Sequence, residues 1–428
     1  MLKKSTLNIL LLILISACNL HSQPDTTVPL KKVDLKAYLG LVGQNNLEYA
    51  ARKFDLSRAD AGIEMAKIFP DPSFSYAWFD NGQRRIEMGY GFNGGLSWTA
   101  ELGGKRKARV DLARSEAELT RFLLQDYFRA LRADATLNFL SALRNKQLLA
   151  MQAGSYQAMK HLAESDSLRY KAGSISQIDA RQSRLEALAM LNELITQEAR
   201  WKLSLLNMSV LTGELKKDGL YEPLIGTAKL DRDFNLQQLI TAAQNTRADA
   251  LAALQNKDVS QKAIMLAKAN RVADIELRSG LIFASHTKNI IAPTPSFFQL
   301  SAGLAIPLKF SNRYAGELKM AYYSAQQAEL MYRKAELLIE AEVTQAYFNY
   351  EAGRKQMNQF NNGMLDEAKK VLEGKTYSYQ RGETSLLEVL NARRTYNMLQ
   401  ASYYEAVFNY ASSLVELEKA AGIWDIEF

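Results

Sequence analysis

The chain has 428 residues, 47% hydrophobic and 23% charged, which is the composition of a folded protein and not of a disordered one. The formal net charge is +7, without a concentrated basic stripe carrying interleaved aromatic residues, and this argues against a nucleic-acid partner. The three histidines are scattered, and the sequence has no zinc, phosphate-loop or nucleophile motif. We therefore expect no enzyme, no cofactor and no resident metal site.

The N-terminus has the pattern of a targeting segment. Lys3 and Lys4 precede a short apolar run, so residues 1–17 are predicted to be a signal peptide. The run ends in Ser-Ala before Cys18, the only cysteine, and this resembles the lipobox of bacterial lipoproteins, in which the cysteine is acylated. The alternative is an ordinary secretory signal with a chance cysteine. Residues 18–31 are predicted to be a lipidated, flexible tether.

The rest of the chain reads as two copies of one plan, residues 32–225 and 226–428. In the first copy a helix is expected over roughly 34–68, and strands over about 72–79 and 86–100. The second copy repeats this order. Its helix is predicted over roughly 234–270 and its strands over about 274–284 and 296–307.

The strands alternate large apolar residues with small or polar ones. This period of two favours strands that face lipid on one side and water on the other, although a soluble hairpin with one buried face gives the same pattern. Four strands cannot close a barrel, and open edges are not tolerated in lipid. The membrane interpretation therefore requires a homotrimer with 3 × 4 = 12 strands.

Very long helices are predicted after each strand pair. Residues 73–222 and 308–428 contain no proline that would interrupt them. The stretch from about 104 to 172 predicts one helix of about 100 Å at 1.5 Å per residue. Its counterpart, roughly 313–380, contains four glycines, so a bent or broken helix is expected there.

Each long helix ends in the same short pattern. Tyr170 precedes Gly173 by three residues, and Tyr379 precedes Gly382 by three. The glycines are 382 − 173 = 209 residues apart, and each is followed six residues later by a carboxylate: Asp179 and Glu388. A duplicated turn at the end of a duplicated helix indicates an internal repeat.

Signal, strand pairs, long helices and glycine tips together resemble the TolC family of outer-membrane channel proteins, over essentially the whole mature chain. The resemblance implies a mixed α/β, mainly α membrane protein. Three chains would form a 12-stranded β-barrel in the outer membrane of a Gram-negative bacterium, continued by an α-helical barrel through the periplasm. It also implies two partners, a periplasmic adaptor protein and a proton-driven inner-membrane pump.

The same resemblance assigns roles at the tips. Asp179 and Glu388 match carboxylates that constrict the family's tunnel, and Tyr379 matches a tyrosine that holds the closed state. The adaptor-docking tips would comprise Tyr170, Gly173, Ser174, Arg381, Gly382 and Glu383. Alternatively, the two carboxylates only cap the helices that begin after each tip. Thr384 and Asn391 depart from the family pattern, so the closed state would be held differently, with Arg381 as one candidate.

Gly103-Gly104-Lys105-Arg106, where strand passes to helix, resembles the corresponding turn in the metal-exporting CzcC and CusC branch. The alternative interpretation is a glycine bend where the chain leaves the sheet. The sequence therefore predicts a passive outer-membrane exit duct of a tripartite efflux system, with metal cations favoured over drugs or protein. The alternative from another class is a structural or adhesive coiled-coil surface lipoprotein without a pore.

Overall fold

The structure is a computed structural model that describes residues 29–80, 88–214, 219–224, 230–288, 290–309 and 314–425. The predicted signal peptide, Cys18 and most of the predicted tether lie outside these residues.

The two halves repeat one order of elements. The first comprises β1 (Leu30–Val33), α1 (Leu35–Asn45), α2 (Leu47–Ala66), β2 (Ser73–Asp80), β3 (Tyr90–Ala100), α3 (Lys105–Lys171) and α4 (Gln177–Leu211). The second comprises β4 (Leu220–Pro223), α5 (Leu236–Thr246), α6 (Ala248–Asn270), β5 (Ile275–Ala284), β6 (Phe297–Ala305), α7 (Tyr314–Gln359), a π-helical turn (Phe360–Met364), α8 (Leu365–Gln380) and α9 (Leu386–Ala421). This confirms the mainly helical, internally duplicated fold with four long strands.

The opening helix of each half is broken, so the prediction of one continuous helix was wrong in both. Asn46 leaves the helical region with ψ 119°, and its side chain accepts a hydrogen bond from the Tyr49 amide at 2.8 Å, which caps α2. In the second half Arg247 takes the same place, with ψ 134°. Both side chains also donate to a carbonyl near the end of that half's last helix: Asn46 to Leu211 at 3.0 Å and Arg247 to Ala420 at 2.8 Å.

A short parallel pair of strands, β1 with β4, ties the start of the first half to the start of the second. Leu30 pairs with Leu220 and Val33 with Pro223. The predicted tether therefore extends too far, because residues 30 and 31 belong to β1. Four-residue strands are too short for an alternating pattern to reveal them.

The other four strands form one antiparallel sheet in the order β2-β3-β5-β6. Its register brings the large apolar side chains to one face: Phe74, Tyr76, Trp78, Tyr90, Phe92, Leu96, Trp98, Leu277, Leu281, Phe283, Phe298, Leu300 and Leu304. The opposite face carries small and polar residues, among them Ser73, which bonds Ser97 at 2.7 Å, and an Arg278–Glu276 pair at 2.8 Å. Neither outer edge, on β2 or β6, is paired within the described chain.

The long helices differ between the halves. α3 runs unbroken for 67 residues, about 100 Å at 1.5 Å per residue. In its counterpart, Gly363 has φ 90° inside the π-helical turn between α7 and α8. This backbone conformation favours glycine, and it confirms the predicted break. Within the described residues, no helix is both long enough and apolar enough to cross a membrane.

A partly buried polar network fixes the segment between β4 and α5. Arg232 donates to Glu418 at 2.8 Å and forms a bidentate ion pair with Asp425 at 2.7 and 2.6 Å. Tyr350 and Tyr410 donate to the Leu230 carbonyl at 2.8 and 3.0 Å. This segment is thereby held against α7 and α9, next to an apolar cluster of α5, α6, α7 and α9.

This network predicts a pH-dependent stability. Burial raises the pKa of the fully buried Glu418 to about 8, from an ordinary value of 4.5. The folded chain then binds that proton more tightly than the unfolded chain, so this contribution to the free energy of unfolding falls as pH rises from about 4.5 to about 8. Thermal unfolding between pH 5 and pH 9 should show a shallower decline for Glu418→Gln than for wild type. Parallel curves would contradict this.

Candidate gate at the helical tips

The two tips have the same backbone turn. Gly173 and Gly382 adopt φ 76° and 79°, which explains why glycine stands at both positions. The Ser174 amide donates to the Arg169 carbonyl at 2.8 Å, and the Glu383 amide to the Ser378 carbonyl at 2.9 Å. Both are the hydrogen bonds from residue i to residue i−5 that characterise the Schellman motif, in which a helix ends at a left-handed residue. Each tip thus reverses a long helix into the next one.

The two candidate carboxylates have different partners. Asp179 closes a reciprocal cap on α4, since the Ser176 hydroxyl accepts from the Asp179 amide at 3.1 Å and donates to its carboxylate at 2.7 Å. Glu388 instead pairs with Lys375, across the α8–α9 turn. Ser385, the counterpart of Ser176, makes no side-chain cap. The capping interpretation therefore fits the contacts of Asp179 better than those of Glu388.

Tyr379 joins the two halves of the chain at the tips. It is 5% exposed, and its hydroxyl donates to the Asp166 carboxylate of α3 at 3.0 Å. Arg169 lies 3.8 Å from the same carboxylate, with its guanidinium 5.0 Å from the centre of the Tyr379 ring. We call Asp166, Arg169 and Tyr379 the tip cluster.

Asp166 is fully buried, and burial raises the pKa of its carboxyl. Its second carboxylate oxygen has no hydrogen-bond partner within the described chain. Its partner Tyr379 belongs to a buried apolar cluster with side chains from α3, α4 and α9: Met159, Leu162, Ala187, Met190, Leu386, Val389 and Leu390. In such a dry site an unpaired polar group is costly, so the Tyr379 hydrogen bond contributes strongly to holding the α3–α4 and α8–α9 hairpins together.

Sequence reasoning missed Asp166. Its residue type and its place in the middle of a charged helix resemble many solvated positions. Only its spacing of three from Arg169 hinted at a pair on one helical face.

The predicted docking residues lie at the exposed ends of the tips. Tyr170 is 42% exposed, and the glycines, Ser174 and Glu383 are exposed as well. Arg381 is exposed and stacks on the Tyr377 ring at 4.4 Å. Its contact thus lies outside the tip cluster. Thr384, which departs from the family pattern, donates its hydroxyl to the Ser385 carbonyl at 3.3 Å.

The turn between β3 and α3 has a structural reason for its glycines. Gly103 and Gly104 adopt φ 73° and 72°, and a Cβ at Gly103 would come within 2.6 Å of Val272. Lys105 pairs with Asp274 at 2.6 Å, and Arg106 donates to the Lys67 carbonyl at 2.7 Å. The positive φ angles therefore account for both glycines as a bend, and close packing against Val272 adds a second reason at Gly103. Among the residues described, no group of three or more His, Cys, Asp or Glu side chains could hold a metal ion.

The arrangement is that of an elongated channel subunit: a four-stranded sheet with one apolar face, carried on helical hairpins that close at tips. Solved outer-membrane channels share this fold. The CmeC channel of Campylobacter jejuni matches with a TM-score of 0.75 at 16% identity, over 91% of this chain and 85% of that one. The CusC channel matches with a TM-score of 0.75 at 17% identity, over 91% and 92%.

Sequence comparisons agree with the fold. Residues 239–423 match the family model "Outer membrane efflux protein". The cobalt-zinc-cadmium resistance protein CzcC of Cupriavidus metallidurans is 23% identical over 374 residues, covering 84% of this chain and 83% of the relative. The outer membrane protein TolC of Vibrio cholerae is 21% identical over 338 residues, covering 76% and 73%.

The family match over residues 239–423, the relatives and the shared fold together support an outer-membrane efflux channel of the TolC family. Such channels are parts of tripartite systems. Channels of this family act with adaptor proteins and inner-membrane pumps, and the family is one of transport proteins and not of enzymes.

The tip cluster predicts looser packing between the two hairpins when its hydrogen bond is lost. Tyr379→Phe removes the hydroxyl that satisfies Asp166 and should weaken the contact between the hairpins by about 1–3 kcal/mol. Spin labels on the two tips should then report longer and broader distances in the purified protein. Tyr377→Phe is a matched control, because Tyr377 is 54% exposed and its ring contact with Arg381 is retained. Equal distance distributions for both variants would rule out this role.

Proposed function

We propose that the protein works as a homotrimeric exit duct for metal cations in the outer membrane of a Gram-negative bacterium. The observation that carries the proposal is the four-stranded sheet, which has one apolar face and two edges that are unpaired within the described residues. A membrane-embedded sheet must have its edges paired, and three copies supply 3 × 4 = 12 strands for one closed barrel.

A second feature supports the trimer. α4 carries a long row of exposed apolar side chains at helical spacing: Ile178, Leu185, Leu188, Ile195, Leu203, Leu206 and Val210. Such a row is typical of a seam that packs against another helix. A neighbouring copy in the trimer would cover this row.

The tips would act as the gate. Three copies place six tips around one axis, with Asp179 and Glu388 as the candidate constriction, where several carboxylates close together bind cations. The tip cluster would hold each chain's two hairpins together in the closed state. Engagement of the tip residues by the adaptor and the proton-driven pump would open the duct, and the pump would supply the energy. Acylation of Cys18 stays a prediction.

Two observations favour this duct over a coiled-coil spacer without a pore. The two-faced sheet has no role in a spacer, and the matched family model is that of outer membrane efflux proteins. Metal cations are proposed as the substrate because the CzcC relative, matched over most of both chains, is a cobalt-zinc-cadmium resistance protein.

A deletion strain tests the substrate. Loss of the gene should lower the inhibitory concentrations of cobalt, zinc and cadmium salts several-fold and raise the cell-associated metal measured by mass spectrometry. Drug tolerance should change little, since metals are the proposed cargo. Complementation with the wild-type gene is the control. Sensitivity to drugs with unchanged metal tolerance would contradict the metal proposal while leaving the duct intact.

A further inference from the structure

A basic cleft lies between α3 and α6, directly below the sheet. Its volume is about 520 Å³, and its charged lining residues are Lys107, Asp111, Lys262 and Lys268. Lys107 and Lys268 each stand seven residues from a strand end, close to the junction of sheet and helices. Three lysines against one aspartate give the cleft a positive charge.

The lysines are incompletely neutralised. Lys107 is exposed and forms no ion pair with any part of the chain that the structure describes. Lys262 stands 3.7 Å from Asp258, and Lys268 lies 5.8 Å from the ring centre of the exposed Tyr322. The Asp111 carboxylate forms an ion pair with the Arg114 guanidinium at 3.9 Å. The cleft therefore has positive charge that can bind an anion.

In the proposed trimeric tube, the geometry of α3 would put the cleft on the outer surface. Arg106 and Arg109 of α3 reach backbone carbonyls just after α2, whereas Lys105 and Ser115 bond to carboxylates on the α6 side. At roughly 100° per residue, these two contact directions are about 110° apart, and Lys107 lies more than about 100° from both. Where helices form the wall of a tube, the side of a helix with the smaller angle between its two neighbours faces inward, and the side with the larger angle faces outward. Lys107 lies on the side with the larger angle.

The surroundings are those of a membrane interface. Trp98 belongs to the apolar face of the sheet and donates its indole N–H to the Pro70 carbonyl at 3.1 Å. Met265, which lines the cleft, is 55% exposed, and Tyr322 is 44% exposed. Aromatic side chains at the end of an apolar band and basic pockets beside it are the features that recognise lipid headgroups.

We propose that this cleft binds the phosphate of an anionic phospholipid in the leaflet that faces the helices. The site rests on the proposed insertion of the sheet into the membrane. Lys107, Lys262 and Lys268 contact the phosphate, while the acyl chains lie along the apolar face of the sheet above. The lipid then fixes the depth at which the sheet meets the membrane.

Native mass spectrometry of the detergent-solubilised full chain tests the proposal, with phosphatidylglycerol, phosphatidylcholine and inorganic phosphate as probes. The wild type should bind phosphatidylglycerol at least tenfold more tightly than phosphatidylcholine. Lys107→Gln/Lys262→Gln/Lys268→Gln should lose about tenfold in affinity, and Lys107→Gln alone about threefold. The matched control, Lys160→Gln/Lys202→Gln/Lys369→Gln, removes three charges from the helical shaft and should bind as wild type.

Two results would overturn the lipid site: equal phosphatidylglycerol affinity for wild type and the cleft variants, or displacement of the lipid by equimolar inorganic phosphate. The single variant covers the case in which the triple variant fails to fold. The same spectra report the oligomer mass. A wild type that binds the lipid as a monomer would count against the trimeric duct and not against the cleft.

Discussion

The unpaired edges of the four-stranded sheet are the constraint on which the rest of this structure depends. One face of the sheet is apolar and the strands at both sides lack neighbours in the described chain. Backbone groups left unpaired in lipid are costly, so in the proposed membrane-inserted state the sheet would need further copies of itself. The same assembly would cover the apolar row on α4, so one requirement accounts for two exposed features of the single chain.

The two halves of the chain repeat one order of elements and differ in their long helices. Equivalent breaks at Asn46 and Arg247, and equivalent turns at Gly173 and Gly382, show the common plan. α3 is unbroken, whereas its counterpart is interrupted at Gly363. The hydrogen bond from Tyr379 to Asp166 joins one copy to the other, so the tips are held by an interaction that neither copy contains by itself.

Much of the fold could be predicted from the sequence, because its elements are long and strongly periodic. Alternation of large apolar residues with small or polar ones predicted the strands, and long stretches without proline predicted the helices. The breaks at Asn46 and Arg247 could not be foreseen, since they depend on carbonyls supplied by helices about 170 residues away. β1 and β4 were too short to show a pattern.

The candidate site divides in the same way. Glycine turns are local, so Gly173 and Gly382 marked the tips correctly. The partners of side chains across the tips are not local: Asp166 was missed, and the contacts of Glu388 with Lys375 and of Arg381 with Tyr377 were not anticipated. The family pattern predicted the position of the turns, but it did not predict the side-chain contacts between the tip helices.

Conductance of the purified protein in planar lipid bilayers tests the central claim most directly. A trimeric duct closed at its tips predicts discrete channels that multivalent cations block from the side of the tips, and Asp179→Asn/Glu388→Gln should raise the conductance and weaken the block. A protein that inserts without conducting, or that remains monomeric in detergent, would contradict the account.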